Sequence, residues 1–191
     1  MKTLKKISFA VLLIFAISTS ASEKETSLDN SKNIKVEFKN VKKGHTIVIK
    51  DNNGVLIYSG KVKTSGNYAK MFNFSALNDG LYTAELNKDF EIIIKTLSIK
   101  DGTVTISENT TEKIFKPVIR NSKNILYVSK LSFNNKPLKV VIYFNDEIIL
   151  SETVEGSKKL ERIYKLSNNE IGTYKVVASS DNRTYVKEIL L

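Results

Sequence analysis

A period-two alternation of apolar and polar residues is the feature that most constrains this chain. Residues Ile34 to Phe38 alternate without a fault, as Ile-Lys-Val-Glu-Phe. Successive side chains of a strand point to opposite faces of its sheet, so this pattern is typical of a half-buried strand. Similar runs recur to the C-terminus between turn signals about 8–12 residues apart, a spacing typical of sandwiches and barrels. No stretch has a sustained helical period with caps, so the sequence predicts an all-β, antiparallel fold.

The predicted strands share β-branched or aromatic residues bounded by Asn, Asp or Gly. They span residues 34–38, 46–50, 55–58, 71–74, 81–86, 90–97, 103–106, 114–119, 125–128, 138–144, 147–154, 160–166, 173–178 and 185–190. Asp51-Asn52-Asn53-Gly54 joins the second strand to the third, and Asn and Gly tolerate the positive φ of hairpin turns. The segment therefore predicts a β-hairpin with Gly54 in its turn.

A Gly-x-Tyr element occurs twice, at Gly80 and Tyr82 and again at Gly172 and Tyr174, 92 residues further on. The hairpin sequence that precedes the first copy also recurs before the second. A repeat of this length corresponds to a whole domain and not to one unit of a solenoid. We expect each Gly to take positive φ and each Tyr to bury its ring while its hydroxyl bonds back to the turn, as in the tyrosine corner of Greek-key sandwiches. The alternative is a tight turn followed by an aromatic strand residue, with no defined corner; in either case the role of these four residues is structural.

The chain begins with a short positive segment, an apolar run from Ile7 to Ile17, and small residues that include Thr19 and Ala21. This order is that of a secretory signal peptide, and the apolar run is too short for a transmembrane helix, which needs about 20 residues. An uncleaved N-terminal anchor is the alternative. We expect an exported protein that is periplasmic, outer-membrane-associated or secreted, with no transmembrane segment after cleavage.

The predicted organisation has five parts. A signal peptide at residues 1–21 is followed by a flexible lead-in at 22–33, a β-sandwich module at 34–106, a polar linker at 107–113 and a second β-sandwich module at 114–191. The chain has no cysteine, so both modules fold on their hydrophobic cores without disulfides.

The strand and turn pattern resembles a known family. Each half is similar to the immunoglobulin-like modules of exported Bacteroidetes proteins, including the C-terminal sorting domains of type IX secretion cargo. The shared pattern is a strand, an Asp-x-x-Gly turn, a strand, Leu-x-x-Gly-x-Tyr and a last strand carrying a Lys; it covers Ile47–Leu97 and, more loosely, Val140–Leu191. The second half has Asn145-Asp146-Glu147 where that family has a Gly-containing turn. The resemblance implies two tandem immunoglobulin- or fibronectin-III-like sandwich modules.

The sequence predicts neither a catalytic site nor a cofactor or metal site. His45 is the single histidine and lies in a basic turn, where we expect it at the surface. No Gly-x-Ser-x-Gly nucleophile motif occurs, and the Asp residues sit in turn contexts, where their side chains serve the turn. The net charge of +10 comes from lysines scattered among acidic residues, which does not form the basic stripe of a nucleic-acid-binding protein.

We therefore expect a non-enzymatic binding, adhesion or scaffold protein of the bacterial envelope, with a protein or glycan partner. The alternative is secretion cargo whose C-terminal module is a type IX sorting signal or a relic of one. Tyr143 and Phe144 are adjacent in a strand and must face opposite sides of the sheet, so one of the two rings is a candidate contact surface.

Overall fold

The computed structural model describes residues 32–107, 111–167 and 171–191, and these residues form fifteen β-strands. The predicted signal peptide and most of the predicted lead-in lie outside the described residues. The strands are β1 (Asn33–Val41), β2 (Thr46–Asp51), β3 (Leu56–Lys61), β4 (Gly66–Asn73), β5 (Gly80–Asn87), β6 (Glu91–Lys100), β7 (Thr103–Ile106), β8 (Glu112–Phe115), β9 (Val118–Ser122), β10 (Ile125–Leu131), β11 (Leu138–Phe144), β12 (Glu147–Val154), β13 (Lys159–Lys165), β14 (Thr173–Ser180) and β15 (Arg183–Leu190). The all-β prediction is confirmed.

Strands β1 to β8 form an N-terminal unit of two antiparallel sheets. Strands β1 and β4 make one sheet, and the other has the order β3-β2-β5-β6-β7, with β8 also paired to β6. Both sheets contribute buried side chains to one core, which includes Val36 and Phe38 from the first sheet and Ile47, Leu86 and Leu97 from the second. Packing two sheets on a shared apolar layer makes this unit a β-sandwich.

Strands β9 to β15 form a C-terminal unit on a second core. Its sheets have the orders β9-β10-β13 and β12-β11-β14-β15. Leu126 and Val128 of the first sheet pack with Val140, Ile142 and Val176 of the second. The orders β1-β4 and β3-β2-β5-β6 of the N-terminal unit correspond, strand for strand, to β10-β13 and β12-β11-β14-β15 here.

The hairpins of the two units turn in different ways. In the first, the Asp51 carboxylate accepts hydrogen bonds from the backbone N–H groups of Asn53 (2.9 Å) and Val55 (2.8 Å), and Gly54 has a φ of 81°. In the second, Asn145 (φ 46°) and Asp146 (φ 66°) take positive φ themselves. Two consecutive positive values are the geometry of a two-residue type I′ turn, which Asn and Asp tolerate, so the second turn forms without a glycine.

The linker region pairs with the N-terminal unit. Strand β8 pairs with the first half of β6, in the register Ile92 to Ile114, and the isoleucines at 92, 94 and 114 form a small buried cluster. Since Leu97 and Ile99 of β6 point into the core, Ile92 and Ile94 lie on the opposite face of the sheet. The predicted boundary between linker and second module, at residues 113 and 114, thus falls inside β8, a strand of the large N-terminal sheet.

Candidate functional site

The two Gly-x-Tyr elements are built differently. The Tyr82 hydroxyl donates to the backbone oxygen of Asn78 at 2.8 Å, the corner geometry expected from the sequence. Tyr174 is buried in the C-terminal core with its ring 4.8 Å from that of Phe144. Gly172 does not take positive φ. A Cβ at this position would overlap the Phe144 ring and the Asn145 Oδ1 atom, so a side chain does not fit here. The prediction that Gly172 is needed for its positive φ is therefore wrong.

The pair Tyr143 and Phe144 divides between core and surface. Phe144 packs against the C-terminal core. Tyr143 faces the other side, where the Lys175 ammonium lies 4.8 Å from the centre of its ring. A hydrogen bond from Lys175 to Asp146, 2.9 Å long, raises the pKa of Lys175. Of the two rings, only Tyr143 is therefore placed to make an external contact.

Three of the acidic residues singled out in turns are engaged by hydrogen bonds or an ion pair, but only Asp51 bonds within its own turn. Asp51 holds the first hairpin, Asp79 accepts a hydrogen bond from the backbone N–H of Asp101 at 2.7 Å, and Asp146 pairs with Lys175. Among the described residues there is no group of three His, Cys, Asp or Glu side chains that could hold a metal ion. No helix in the described part of the chain is long and apolar enough to span a membrane.

Two exposed apolar edges occupy equivalent positions in the two units. Strands β3 and β12 are each the terminal strand of their sheet. Leu56 and Ile57 on β3 and Ile148 and Ile149 on β12 are all exposed, and each pair lies 92 residues from the other. Both hairpins shift register at this point, which leaves Ile57 and Ile149 without a partner across the ladder. We call these two pairs the bulged edges.

The bulged edges present side chains and not a flat backbone ladder. A β-bulge bends its strand and interrupts pairing, and natural edge strands use it to resist open-ended strand addition. Apolar residues are nevertheless exposed there, and clustered exposed apolar residues mark contact sites more often than single scattered ones do. Alternation alone could not identify them, because the two members of each pair are adjacent in sequence.

The two units meet on the outer face of the large N-terminal sheet. Glu85 lies on β5 between Ala84 and Leu86, which both point into the core, so its own side chain points outward. It is nevertheless buried, and it accepts hydrogen bonds from Arg183 of β15 (2.7 Å) and from Lys50 (3.1 Å). Burial acts to raise the pKa of Glu85, but the bonds from Arg183 and Lys50 outweigh it and the pKa is lowered.

A cleft at this junction surrounds Phe90, whose side chain is 67% exposed. On one side is a groove of about 240 Å³ between the two units, lined by Phe115, Lys116 and Leu131 among others. On the other side is a groove of about 280 Å³ in the N-terminal unit, lined by His45 and Lys88 among others. Phe90 and Phe115 line both grooves, and we call the whole the Phe90 cleft.

His45 is only 7% exposed, so the prediction of a surface histidine is wrong. Its Nδ1 accepts a hydrogen bond from the backbone N–H of Lys42 at 3.0 Å, which places the proton of the neutral ring on Nε2. Nε2 has no hydrogen-bond partner among the described residues, and the Asp89 carboxylate is 3.9 Å away. The turn is where the sequence places it, but the side chain packs inward.

Comparison with known proteins identifies the N-terminal unit. Residues 29–100, which include β1 to β6, match the family of secretion system C-terminal sorting domains. Within this all-β chain, residues 29–100 therefore match a type IX secretion sorting domain, a class typical of Bacteroidetes, and the predicted resemblance is confirmed. Such a domain implies secretion across the outer membrane or attachment to the cell surface. The looser occurrence of the family pattern at Val140–Leu191 lies outside the matched residues, so the resemblance of the second half stays a prediction.

Two solved structures are weakly similar to the chain. The BSP domain of a biofilm-associated protein is 15% identical with a TM-score of 0.28, and the alignment covers 84% of this chain and 27% of that one. The human OSCAR ligand-binding domain is 9% identical with a TM-score of 0.24, and the alignment covers 84% of this chain and 90% of that domain. The chain thus spans little more than a quarter of the first structure's length. A search of curated proteins finds no match.

Proposed function

We propose that this chain is a secreted, non-enzymatic adhesion or scaffold protein of the bacterial envelope, built from two tandem immunoglobulin-like modules. Its strand orders support the tandem arrangement, because β10 to β15 repeat the connections of β1 to β6. The observation that carries the binding role is the pair of bulged edges, at the same place in both modules. Asp51, Asp79 and Asp146 are engaged by backbone N–H groups or by Lys175, which favours a structural role for them over a catalytic one.

The partner suited to the bulged edges is a protein that receives apolar side chains in pockets. Two equivalent contacts on one chain make binding bivalent, and the second contact then forms as an intramolecular event at high effective concentration. Two weak apolar contacts can in this way retain the protein at a cell surface. The partner would recognise Leu56 and Ile148 by shape and not by backbone pairing, since the bulges interrupt the ladder.

Changing Leu56→Lys and Ile148→Lys together is expected to abolish retention on intact cells of the producing bacterium. Both side chains are exposed, so the fold should change by no more than about 0.5 kcal/mol. The measurement is saturation binding of labelled secreted protein to cells. Each single variant keeps one of the two contacts and loses bivalent binding, so its affinity for cells should fall by a factor on the order of a hundred or more.

Ile163→Lys is the matched control, because Ile163 is equally exposed on β13, away from the bulged edges. It should bind like the wild type. Wild-type binding by the double variant, with its fold intact by circular dichroism, would contradict the proposed role of the edges.

A second candidate function treats the C-terminal module as a sorting signal or a relic of one. The observation in its favour is that this module repeats the strand order of the unit that matches the sorting-domain family. If it is a signal removed during export, the surface or medium form should end near residue 110.

We expect the exported protein to retain both modules. Strand β8 and the Arg183–Glu85 pair tie the C-terminal module to the N-terminal one, so the junction is part of the folded structure. Fractionation of the producing bacterium, with mass spectrometry of both protein termini, checks this. A mature protein that ends near residue 110 would favour the sorting-signal role over the adhesion role.

A further inference from the structure

We propose that the Phe90 cleft is a binding site for an acidic glycan of uronic-acid type. The proposal goes beyond the bulged edges, from which the cleft is separate. It depends on a buried donor without a hydrogen-bond partner in the N-terminal unit, and on a half-buried cation and exposed aromatic rings beside it at the junction of the two modules.

The first element is the Nε2–H group of His45. This side chain is more than nine-tenths buried and lines the groove beside Phe90. A buried donor without a partner costs about 1–3 kcal/mol, and a ligand oxygen would remove that cost. Because the Lys42 N–H fixes the orientation of the ring, the Nε2–H donor is preorganised for an acceptor. Since the Asp89 carboxylate lies 3.9 Å from Nε2, a sugar hydroxyl suits this position better than a second carboxylate.

The second element is Lys116, which lines the other groove. Its ammonium donates to the backbone oxygen of Lys88 and forms no ion pair in the described part of the chain. Burial lowers the pKa of Lys116, and the charge of Asp89 opposes this only in part. A carboxylate bound in this groove would give Lys116 the direct ion pair that Asp89 does not form with it. The neighbouring Lys88 and Lys113 already pair with Glu91.

The third element is a set of exposed aromatic rings. Phe90 stands between the grooves, and Phe115 packs edge-on against the exposed Phe133 at 5.6 Å between ring centres. Their exposed surfaces can cover the apolar C–H face of a sugar ring. Two grooves that share the same two rings suit a ligand of repeating units, with one unit on each side of Phe90.

A glycan fits this cleft better than a peptide strand does. Peptides that bind sheets usually extend a backbone ladder. Here the loop between β5 and β6 already uses its own backbone groups: Lys88 N–H donates to Glu91 O (2.9 Å), and Lys116 N–H donates to Phe90 O (2.9 Å). The polar groups left to meet a ligand are side-chain termini. The groove beside His45 also holds the Asp89 and Glu91 carboxylates and suits sugar hydroxyls, while Lys116 in the other groove suits a carboxylate.

Calorimetric titration of the full secreted chain tests the proposal, with oligogalacturonate as the probe. We expect it to bind at least about tenfold more tightly than neutral dextran or poly-L-glutamate, a difference of about 1.4 kcal/mol. Phe90→Ala and His45→Asn should each weaken binding by about tenfold or more. The Asn side chain can still accept from Lys42 N–H but has no donor at the Nε2 position. Ile163→Ala, at an equally exposed residue, should bind like the wild type.

Phe90→Ala keeps the test decisive if His45→Asn fails to fold, because Phe90 is mostly exposed. Equal or tighter binding of poly-L-glutamate would overturn the proposal in favour of an acidic peptide. Binding that Phe90→Ala does not change and that salt above roughly 0.15 M removes would overturn it as unspecific attraction to a basic protein. Either result leaves retention through Leu56 and Ile148 untouched, so the two proposals fail separately.

Discussion

Lys130→Met is expected to lower the free energy of unfolding by about 3–5 kcal/mol, the cost of leaving one partner of a buried ion pair alone. Lys130 lies on β10, and its Nζ is 3.0 Å from Asp181 Oδ2 in the turn before β15. The two side chains are 1% and 5% exposed. Methionine fills a similar volume, so the loss comes from the uncompensated Asp181 carboxylate and not from a cavity. Urea unfolding of the full chain measures it.

The surface pair Lys159–Glu161 supplies the control. Its nitrogen and oxygen are 2.8 Å apart, but both side chains are more than half exposed. Lys159→Met should therefore cost no more than about 1 kcal/mol. The double variant Lys130→Met with Asp181→Asn should recover part of the loss, since no buried charge remains. Equal effects of the two lysine variants would contradict the buried-pair interpretation.

The loss caused by Lys130→Met should also depend on pH. Burial acts to raise the pKa of Asp181, but hydrogen bonds from Lys130 and from Asn134 (2.6 Å) outweigh it and the pKa is lowered. Because the pKa of Asp181 is lower in the folded chain than its value of about 3.9 in the unfolded chain, the ionised carboxylate stabilises the fold at pH values above about 3.9. This stabilisation is lost as the pH falls through the pKa of Asp181 in the folded chain. In the variant the carboxylate keeps the burial but loses the cation, so its pKa rises. The difference between variant and wild type should be large at neutral pH and shrink in acid.

Sequence reasoning located most strands and turns because both depend on local chemistry. Alternation marks a strand wherever one face is buried, and Asn, Asp and Gly mark tight turns. The predicted strand at 125–128 stopped too early, since β10 continues to Leu131. Lys130 lies on the same face of β10 as Leu126 and Val128, so extending the alternation assigns its side chain to the core. A charged lysine is not expected in a core, and the sequence pattern therefore gives conflicting indications at this position. Only the turn that brings Asp181 beside it resolves the conflict.

The junction between the units could not be predicted from local pattern. Alternation along β5 assigns Glu85 to the outer, solvent-facing side, and the assignment to that face is correct. The face is buried because a residue 98 positions away, Arg183, lies on it. In the same way, the inward packing of His45 and the pairing of β8 with β6 are set by tertiary contacts. The Phe90 cleft, which depends on all of these, has no signature in the sequence.

Arg183→Ala is expected to weaken the contact between the two units and to cost about 1.5–3 kcal/mol, the range for hydrogen bonds to charged groups. Arg183 donates to Glu85 Oε1 at 2.7 Å across the junction. Lys50 remains as a second partner of Glu85, so the loss should be smaller than that of Lys130→Met. A double-mutant cycle with Glu85→Gln, followed by urea unfolding, isolates the pair, and coupling of about 0.5–3 kcal/mol is expected.

The pH dependence of stability in the acid range distinguishes loss of the Arg183–Glu85 contact from a general loss of stability. In the wild type the pKa of Glu85 is lowered in the folded chain, so its carboxylate stabilises the fold at pH values above its unfolded-state pKa of about 4.3. This stabilisation is lost as the pH falls through the pKa of Glu85 in the folded chain. Without Arg183 the burial remains and one of two cations is gone, so the pKa rises and stability should begin to fall at a higher pH. Lys50→Met should act in the same direction without changing the junction itself. If Arg183→Ala leaves the acid limb of the stability curve where it is, Arg183 does not stabilise the Glu85 carboxylate and the two units are not held together by this pair.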